Sequence, residues 1–435
     1  MTKLSRRSFI QATGASAALG AAGALGFPFI GRADEHKKVV VIGGGSGGAI
    51  AARYIKRADT SIDVTLIEQN DHYYTCYMSN EVISGERDIN SIRFTYGSLS
   101  DEGIRVVHER ASMINAEKKM VMTEQGNSFP YERLVVSPGI AFRWGEIEGY
   151  DMAAAEKMPH AYQAAGEQTM ILRKQLEAMD DGGVVIIAPP DNSFRCPPGP
   201  YERACQIAHY LKNNKPKSKL MIIDAKDKFS KQGLFTHAWE KLYKGMIEWV
   251  PGSETGGGIV AVQADKMIVS TEFEDIQGDV INMIPPQTAS EIAHAGGLVD
   301  ESGWCPVDLG TFESTMQPNV HVIGDASIAT GLPKSAYAAN SEAKVCAAAV
   351  VAMINGEKPG TPSYVNTCYS LAAPGYGFSV ASVHRLADDR SSIEKISGGL
   401  SDIEASEDTL NREAQYAYSW YENIVSDMFG AHSSG

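Results

Sequence analysis

Short apolar runs alternate with longer amphipathic segments along most of this chain. Strands are predicted by the apolar runs at residues 39–42, 64–68, 133–136, 184–188 and 220–224. Helices are predicted between them, and the clearest cover residues 161–179 and 201–212. Because strands that alternate with helices pack as parallel sheets covered by helices, the pattern predicts an α/β fold.

A glycine-rich turn follows the first apolar run. Gly43, Gly45 and Gly48 have the spacing Gly-x-Gly-x-x-Gly, and Glu68 ends the next strand about 20 residues further on. In a dinucleotide site these glycines permit the tight turn, the approach of a pyrophosphate and close packing of the helix, while the acid binds a ribose hydroxyl. An acid at this position favours FAD or NAD over NADP.

Ser46 lies within the same turn and gives it a second interpretation. The pattern Gly-x-Ser-x-Gly is also that of a hydrolase nucleophile elbow, which likewise joins a strand to a helix. An elbow leaves Gly43 and Glu68 unexplained, and a purely structural glycine turn is a third alternative. With a dinucleotide in the turn, Ser46 belongs to the cofactor-binding residues.

A later motif favours FAD among the dinucleotides. The apolar run at residues 319–323 predicts a buried strand, and it ends in Gly324 and Asp325. In two-dinucleotide flavoproteins an aspartate at this position holds the ribityl chain of the flavin. The two motifs in this order therefore predict an FAD-binding protein.

These features predict two Rossmann-like dinucleotide-binding domains, as in glutathione reductase, and a C-terminal interface domain. The second domain restarts after residues 182–183, and the chain is expected to return to the FAD domain near residues 279–284. A Pro/Gly-rich stretch at residues 356–363 precedes the interface domain. The predicted boundaries are 1–33 for a signal peptide, 34–150 and 275–355 for the FAD domain, 151–274 for the second domain and 356–435 for the interface domain.

The second Rossmann-like unit lacks a glycine-rich phosphate turn. Its first strand is followed by Ala188-Pro-Pro-Asp-Asn-Ser-Phe-Arg-Cys196-Pro-Pro-Gly-Pro-Tyr-Glu202. Prolines have no N–H to donate to a phosphate, and their rings stiffen the loop. The unit is therefore predicted to keep the fold without binding a nicotinamide. Electrons must then reach the flavin from another source, for which Cys196 is the leading candidate.

The N-terminal segment predicts export. Residues 5–10 read Ser-Arg-Arg-Ser-Phe-Ile, an uncharged Ala/Gly-rich stretch follows to residue 31, and Ala33 supplies a small residue for cleavage. This pattern indicates a twin-arginine signal and a periplasmic protein. A permanent transmembrane helix is the poorer alternative, because the stretch is weakly hydrophobic and interrupted by Gly and Pro.

Composition and cysteine spacing limit the partners. A formal net charge of −14 provides no positive field for nucleic acid, and no other segment is long and apolar enough for a permanent membrane span. The cysteines match no zinc spacing, and because Cys-x-x-Cys-His is absent, any haem belongs to another chain. In an oxidising compartment some cysteines are expected to pair. They occupy positions 76, 196, 205, 305, 346 and 368.

Five strings along the chain carry a family resemblance. They are Tyr73-Tyr-Thr-Cys76-Tyr-Met-Ser-Asn80, Phe194-Arg-Cys196-Pro-Pro-Gly-Pro-Tyr-Glu202-Arg-Ala204, Gly303-Trp-Cys-Pro-Val-Asp308, Pro333-Lys-Ser-Ala-Tyr-Ala-Ala-Asn340 and Asn366-Thr-Cys368-Tyr-Ser370. With these strings the chain closely resembles, over essentially its whole length, the flavoprotein subunit of flavocytochrome c sulfide dehydrogenase. More distantly it is similar to the sulfide:quinone reductases.

The resemblance implies roles for individual residues. Cys76 is expected to carry FAD through a thioether, Cys196 and Cys368 to form a redox-active disulfide beside the flavin, and Glu202 to transfer protons. The residues themselves leave open a buried free Cys76, a purely structural disulfide, and a Glu202 that only favours a helix N-terminus. Lys334 follows a proline near a helix start, where its charge would stabilise a reduced flavin.

The resemblance also implies an activity and a partner. Hydrosulfide is expected to be oxidised to zero-valent sulfur or polysulfide, and the electrons to pass to a haem-bearing c-type cytochrome subunit in a heterodimer. A sulfide:quinone reductase is the alternative within enzymes, and it would need an apolar quinone tunnel and a membrane-facing amphipathic end. A non-enzymatic flavin electron carrier is the alternative of a different class.

Overall fold

The structure is a computed structural model that describes residues 37–430. The predicted signal peptide at residues 1–33 lies outside the described residues. Within residues 37–430, no helix combines the length and the apolar character needed to cross a bilayer.

The first domain is built on a parallel sheet. Its N-terminal elements are β1 (Lys38–Ile42), α1 (Gly48–Ala58), β2 (Asp63–Ile67), β3 (His72–Tyr74), α2 (Ser79–Ser84), β4 (Arg93–Thr95), α3 (Gly97–Asp101), β5 (Arg105–Val107), β6 (Ala111–Asn115), β7 (Met120–Thr123), β8 (Ser128–Pro130), β9 (Arg133–Val136) and β10 (Ile140–Phe142). β1 pairs in parallel with β2 and β9, and β2 pairs with β5. The predicted strands at 39–42, 64–68 and 133–136 are β1, β2 and β9, each shifted by at most one residue. Their β-branched side chains are buried on both faces, as in a sheet covered by helices.

The second domain repeats this architecture. Its elements are α4 (Glu167–Ala178), β11 (Val184–Ala188), α5 (Gly199–Asn214), β12 (Lys219–Ile223), α6 (Gln232–Leu242), β13 (Ile247–Val250), α7 (Gly252–Thr255), β14 (Ala261–Gln263), β15 (Ile268–Ser270), β16 (Asp275–Gln277) and β17 (Val280–Met283). The parallel sheet has the order β13-β12-β11-β17, and β14, β15 and β16 form a small antiparallel sheet. The predicted strands at 184–188 and 220–224 correspond to β11 and β12.

The prediction of a return to the FAD domain near residues 279–284 is wrong. This apolar run is β17, and it pairs in parallel with β11, so that Ile281 lies opposite Ile186 in the second sheet. The boundary between residues 274 and 275 is wrong for the same reason, because β16 and β17 both belong to the second domain. A buried parallel strand has the same apolar pattern in either sheet, so the pattern alone does not assign it.

The helix predicted at residues 161–179 starts later in the structure than in the prediction. Residue Ala161 has a positive φ of 46°, and α4 starts only at Glu167. The carbonyls of His160 and Ala161 accept hydrogen bonds from the buried guanidinium of Arg203, at 3.2 and 2.7 Å. The loop is therefore held by a tertiary contact in place of helical hydrogen bonds.

The rest of the chain completes the FAD domain and adds the C-terminal domain. The elements are β18 (Gln287–Ala289), α8 (Glu291–Ala295), β19 (Val320–Val322), α9 (Ala336–Ile354), β20 (Ser363–Ala373), β21 (Tyr376–Leu386), β22 (Ile393–Leu400) and α10 (Glu407–Phe429). β18 pairs with β10, and β19 joins the first sheet beside β9. β20, β21 and β22 form an antiparallel sheet against which α10 packs. The end of α10 is fixed to the first domain by Arg53, which donates to the carbonyls of Ser426 and Asp427 at 3.2 and 2.8 Å.

Candidate active site

The glycine turn between β1 and α1 is closely packed. Gly43 has a φ of +94°, and a Cβ atom on Gly48 would lie 1.8 Å from the carbonyl oxygen of Gly43. The backbone N–H of Gly44 donates to Oε2 of Glu68 at 2.8 Å. The carboxylate predicted to bind a ribose therefore lies directly at the turn. Glycine is required here because a side chain has neither the conformation nor the space.

One cavity is lined by this turn, and a second reaches the turn only through Tyr77. The outer cavity, with about 1120 Å³ of empty space, is lined by Gly43 and Glu68 and by the segment at residues 109–112. The inner cavity, with about 950 Å³, is lined by Tyr77, whose hydroxyl lies 3.4 Å from Oγ of Ser46. Gly45, Ser46 and Gly48 line neither cavity and form the turn itself.

Unpartnered polar atoms show what this site can hold. Oδ1 of Asp325, in the short turn after β19, is buried without a hydrogen-bond partner among the described residues, and so is the hydroxyl of Tyr96. A Cβ atom on Gly44 would lie 2.6 Å from that hydroxyl. Buried polar groups are costly to leave unpaired. An elongated polar ligand such as FAD, with hydroxyls near Asp325 and phosphates at the glycine turn, fits these residues.

The inner cavity brings together all three predicted catalytic residues and some of the predicted cofactor-binding residues. Its lining includes Cys76, Cys196, Glu202, Asp325, Lys334 and Cys368. They come from five separate segments of the chain, and Gly324 lies next to Asp325. Cys196 and Cys368 are free thiols in this structure, so the disulfide is not formed and the pairing stays a prediction. Cys205, Cys305 and Cys346 are buried in the core.

Cys196 occupies a constrained backbone position before α5. Its φ is 52°, a left-handed conformation that is uncommon outside glycine. Its N–H donates to the carbonyl of Lys334 at 2.7 Å, and its own carbonyl accepts from the Tyr162 hydroxyl at 2.7 Å. Burial raises the pKa of the Cys196 thiol, and the neighbouring Cys368 raises it further. The loop thus presents this sulfur at a fixed place in the cavity wall.

Glu202 lies in the first turn of α5, and the surface that it exposes faces the inner cavity. Oε1 accepts a hydrogen bond from the N–H of Leu371 at 3.0 Å, and Oε2 accepts one from Nδ2 of Asn80 at 3.4 Å. Desolvation outweighs these bonds and raises the pKa of Glu202 to about 7. This carboxyl can therefore accept or release a proton near neutral pH.

Two cationic side chains lie beside the predicted flavin residues. Nη2 of Arg195 donates to Sγ of Cys76 at 2.8 Å, and its Nε is 3.5 Å from Oδ2 of Asp325. Nζ of Lys334 donates to the carbonyl of Asp325 at 2.7 Å and lies 3.7 Å from the ring centre of Trp304. Burial lowers the pKa of Lys334. Both charges are positioned to face an anionic ligand.

Three further residues lie in or beside this site, and no sequence motif indicates them: Arg195 and Trp420 line the inner cavity, and Lys231 contacts Cys368 from outside the lining. Arg195 directly precedes Cys196 in the segment at residues 194–204, and this is its only signal in the sequence. Lys231 directly precedes α6, and its side chain is buried, with 7% exposed. Its Nζ lies 3.5 Å from Sγ of Cys368. Trp420 lines the inner cavity from α10. Lys231 and Trp420 belong to none of the sequence motifs.

The second domain uses its own side chains where a nicotinamide dinucleotide would bind. Asp224 follows β12, the position at which an acid binds the ribose in a Rossmann unit. It is fully buried, and it accepts hydrogen bonds from Tyr201 at 2.6 Å, Trp249 at 3.0 Å and Lys226 at 2.6 Å. The ring of Phe229 stacks on Tyr201 with the centroids 3.7 Å apart. The carboxylate of Asp224 is thus hydrogen-bonded to donors of the protein itself.

The glycine turn after β1, the acid after β2 and the aspartate after β19 define a two-dinucleotide-binding-domain flavoprotein. Comparison with known families agrees. The pyridine nucleotide-disulphide oxidoreductase model matches residues 37–186. The central domain of the sulfide dehydrogenase (flavocytochrome c) flavoprotein chain matches residues 169–285, and the flavin-binding domain of flavocytochrome c sulphide dehydrogenase matches residues 360–429.

Individual relatives are named as a sulfide dehydrogenase flavoprotein chain or as sulfide:quinone oxidoreductases. The flavocytochrome c sulfide dehydrogenase flavoprotein chain of Chlorobaculum thiosulfatiphilum is 52% identical over 46 residues, which are 11% of this chain and 96% of that sequence. The mitochondrial sulfide:quinone oxidoreductase of Mus musculus is 24% identical over 319 residues, with 71% of this chain and 68% of the relative covered.

A solved structure agrees with the fold. The sulfide:quinone oxidoreductase of Aquifex aeolicus aligns with a TM-score of 0.69 at 17% identity, over 91% of this chain and 96% of its own. The predicted fold class and family resemblance are confirmed. The chain belongs to the sulfide dehydrogenase and sulfide:quinone oxidoreductase family of flavoproteins.

Proposed function

We propose that this chain is the FAD-bearing subunit of a periplasmic sulfide:cytochrome c oxidoreductase that oxidises hydrosulfide to zero-valent sulfur or polysulfide. The observation that carries the proposal is the inner cavity, where Cys196 and Cys368 meet the ionisable Glu202 and the flavin-facing Asp325. The occupied acid of the second domain also supports it, because a donor other than a nicotinamide must then supply the electrons.

The cysteines perform the first chemical step. Hydrosulfide attacks one sulfur of a Cys196–Cys368 disulfide, a new S–S bond forms, and the other cysteine leaves as a thiolate with the electron pair of the broken bond. Glu202 takes up or returns the proton of the bound sulfur species, for which a pKa of about 7 is suitable. Bound FAD supplies a two-electron acceptor whose electrons can leave singly.

Asp325 and Cys76 are the proposed attachment points of the flavin. The buried Oδ1 of Asp325 would accept from the ribityl chain, and Sγ of Cys76 would carry the thioether. Arg195, which donates to that sulfur at 2.8 Å, would hold it in place for the bond.

A surface groove supports a protein as the electron acceptor. The groove is lined by Tyr54, Arg57, Tyr337, Asn340, Ser341, Lys344, Val365, Trp420, Asn423, Ile424, Ser426 and Asp427. Tyr337 and Trp420 line the inner cavity as well, and their rings stack with centroids 6.3 Å apart. Aromatic side chains therefore join the cysteine site to a charged outer surface. A c-type cytochrome, with its haem on the partner subunit, suits such a surface better than an apolar quinone.

The test is reduction of the flavin in the purified chain, followed by its reoxidation. Sulfide should bleach the flavin rapidly and with saturation, whereas NADH and NADPH should reduce it negligibly. A c-type cytochrome should then reoxidise it faster than a soluble quinone does. Rapid reduction by a nicotinamide would contradict the proposed donor, and preferential reoxidation by quinone would favour the sulfide:quinone reductase alternative.

The catalytic disulfide has its own test. Cys196→Ser and Cys368→Ser should each fold, keep flavin and lose most sulfide-driven reduction, while dithionite still reduces both. Because the two residues act as one unit, the double variant should be no slower than either single variant. If the disulfide is structural instead, either substitution should lower the stability by about 2 to 5 kcal/mol and leave the folded molecules active. Turnover per flavin-loaded molecule distinguishes the two.

A further inference from the structure

Lys231 is a buried cation beside one of the two cavity cysteines. Its Nζ donates to Oγ of Ser370 at 2.7 Å and to the carbonyl of Cys368 at 3.0 Å, and it lies 3.5 Å from Sγ of Cys368. The rings of Phe235 and Phe378 lie 5.9 and 5.6 Å from the same nitrogen. The ammonium is thus desolvated and held in place by neutral partners.

The two cysteines differ in their cationic neighbours. Among residues 37–430, no lysine or arginine nitrogen makes a hydrogen bond to Sγ of Cys196, and Arg195 donates to Cys76 instead. Glu202 lies within the electrostatic reach of Lys231, and the ammonium counteracts the rise in the pKa of that carboxyl. Arg195 acts on Cys196 only electrostatically, by lowering the pKa of its thiol, whereas Lys231 contacts the sulfur of Cys368 directly.

We propose that Lys231 is a catalytic residue that binds anionic sulfur at Cys368, first as the attacking hydrosulfide and then as the persulfide. The proposal rests on the proposed function, and it deepens that function by assigning the attacked sulfur. The fixed charge of a buried side chain acts strongly on an anion, and it requires no reorganisation at the moment of attack.

The step balances with the disulfide as the oxidant. Hydrosulfide forms a bond to Sγ of Cys368, the bond between Cys368 and Cys196 breaks, and its electron pair leaves on Sγ of Cys196. The products are a Cys368 persulfide and a Cys196 thiolate, so one negative charge is present before and after. The proton of the persulfide can pass to Glu202, which lines the same cavity.

The first experiment removes the charge and keeps a hydrogen-bond donor. Lys231→Gln should lower the second-order rate constant of sulfide-driven flavin reduction by about tenfold or more. Lys231→Arg should restore most of it. Lys241→Gln, which changes an exposed lysine in the last turn of α6, is the matched control and should react like the wild type. A neutral phosphine should reduce the disulfide at the same rate in all four proteins, since it carries no charge for Lys231 to attract.

A rate for Lys231→Gln within twofold of the wild type would overturn the proposal. Equal slowing toward hydrosulfide and phosphine would also overturn it, because the loss would then not depend on charge. A wild type that sulfide does not reduce would overturn the proposed function itself, and this inference with it.

The second experiment locates the persulfide without measuring turnover. The wild-type protein is mixed anaerobically with less than one equivalent of sulfide, alkylated at once and digested, and its peptides are weighed by mass spectrometry. The additional sulfur should lie on the Cys368 peptide. Its presence on the Cys196 peptide would contradict the assignment while leaving sulfide oxidation intact.

Discussion

At the scale of single residues, the covalent bond predicted between Cys76 and the flavin can be tested most directly. Nη2 of Arg195 contacts its sulfur, and Nε of the same guanidinium lies 3.5 Å from Oδ2 of Asp325. In the wild type, flavin absorbance should stay with the polypeptide after acid precipitation. In Cys76→Ser it should move to the supernatant, since a serine forms no thioether. Native Cys76→Ser should still hold flavin through the glycine turn and Asp325, and release of free FAD from the wild type would refute the covalent bond.

Glu202 gives a prediction in pH. Its pKa is raised from 4.5 to about 7 by burial, so the folded protein holds this proton more tightly than the unfolded chain does. Stability is therefore lost as the pH rises from 4.5 through 7. Glu202→Gln should be more stable than the wild type at pH 8, by up to about 3 kcal/mol, and should gain nothing from this source near pH 4.5.

Thermal unfolding of the flavin-loaded proteins at both pH values measures the effect of Glu202→Gln. The exposed Glu422→Gln serves as the control, and its stability should follow the wild type at each pH. A gain that is equal at both pH values would show that titration of Glu202 is not its cause. In the same variant, sulfide-driven reduction should lose the part of its pH dependence that Glu202 causes and keep the part that comes from ionisation of hydrogen sulfide to hydrosulfide.

The sequence could name the cavity residues only in part. Cys76, Cys196, Cys368 and Glu202 stood in strings that carry a family resemblance, and the structure places all four in one cavity. Lys231 could not be found, because its contact with Cys368 joins the loop before α6 to a strand in another domain. Contacts of this kind follow from tertiary packing and leave no local pattern.

At the scale of elements, the turn between β1 and α1 permits a sharp test. A Cβ on Gly48 would lie 1.8 Å from the carbonyl oxygen of Gly43, so Gly48→Ala must displace the helix from the strand. We expect most of the flavin to be lost, as measured by the ratio of visible to ultraviolet absorbance. Gly97→Ala is the control, because a Cβ at Gly97, in the first turn of α3, would meet nothing within 4 Å. Full flavin content in Gly48→Ala would contradict this role of the turn.

The strands were predictable and some of their connections were not. β1, β9 and β11 consist of apolar residues buried on both faces, and such runs have few other solutions. The sheet that β17 joins depends on pairing with β11, which is distant in sequence. The start of α4 depends on a guanidinium from α5. Both errors arose where a distant contact overruled the local pattern.

At the scale of the whole molecule, Trp420 connects the cysteine site to the surface groove. Trp420→Leu should slow electron transfer from the reduced chain to a c-type cytochrome severalfold, because the aromatic contact with Tyr337 is lost. Reduction of the flavin by sulfide should change little. Trp144→Leu makes the same substitution at an exposed site away from the groove and should leave both rates unaltered. Stopped-flow measurements follow the two half-reactions separately. An unchanged rate of electron transfer to the cytochrome would exclude Trp420 from the path of the electrons.

The walls of the inner cavity also have a consequence for biosynthesis. Cys76 and Trp420 face the same space, and Arg53 holds the last turn of α10, so the first and last parts of the described chain must both be present before the site exists. A nascent polypeptide whose last helix has not yet been synthesised has no complete place for the flavin, since domains fold from the N-terminus as the chain emerges. Any export route that threads an unfolded chain would therefore have to deliver the cofactor separately, on the far side of the membrane.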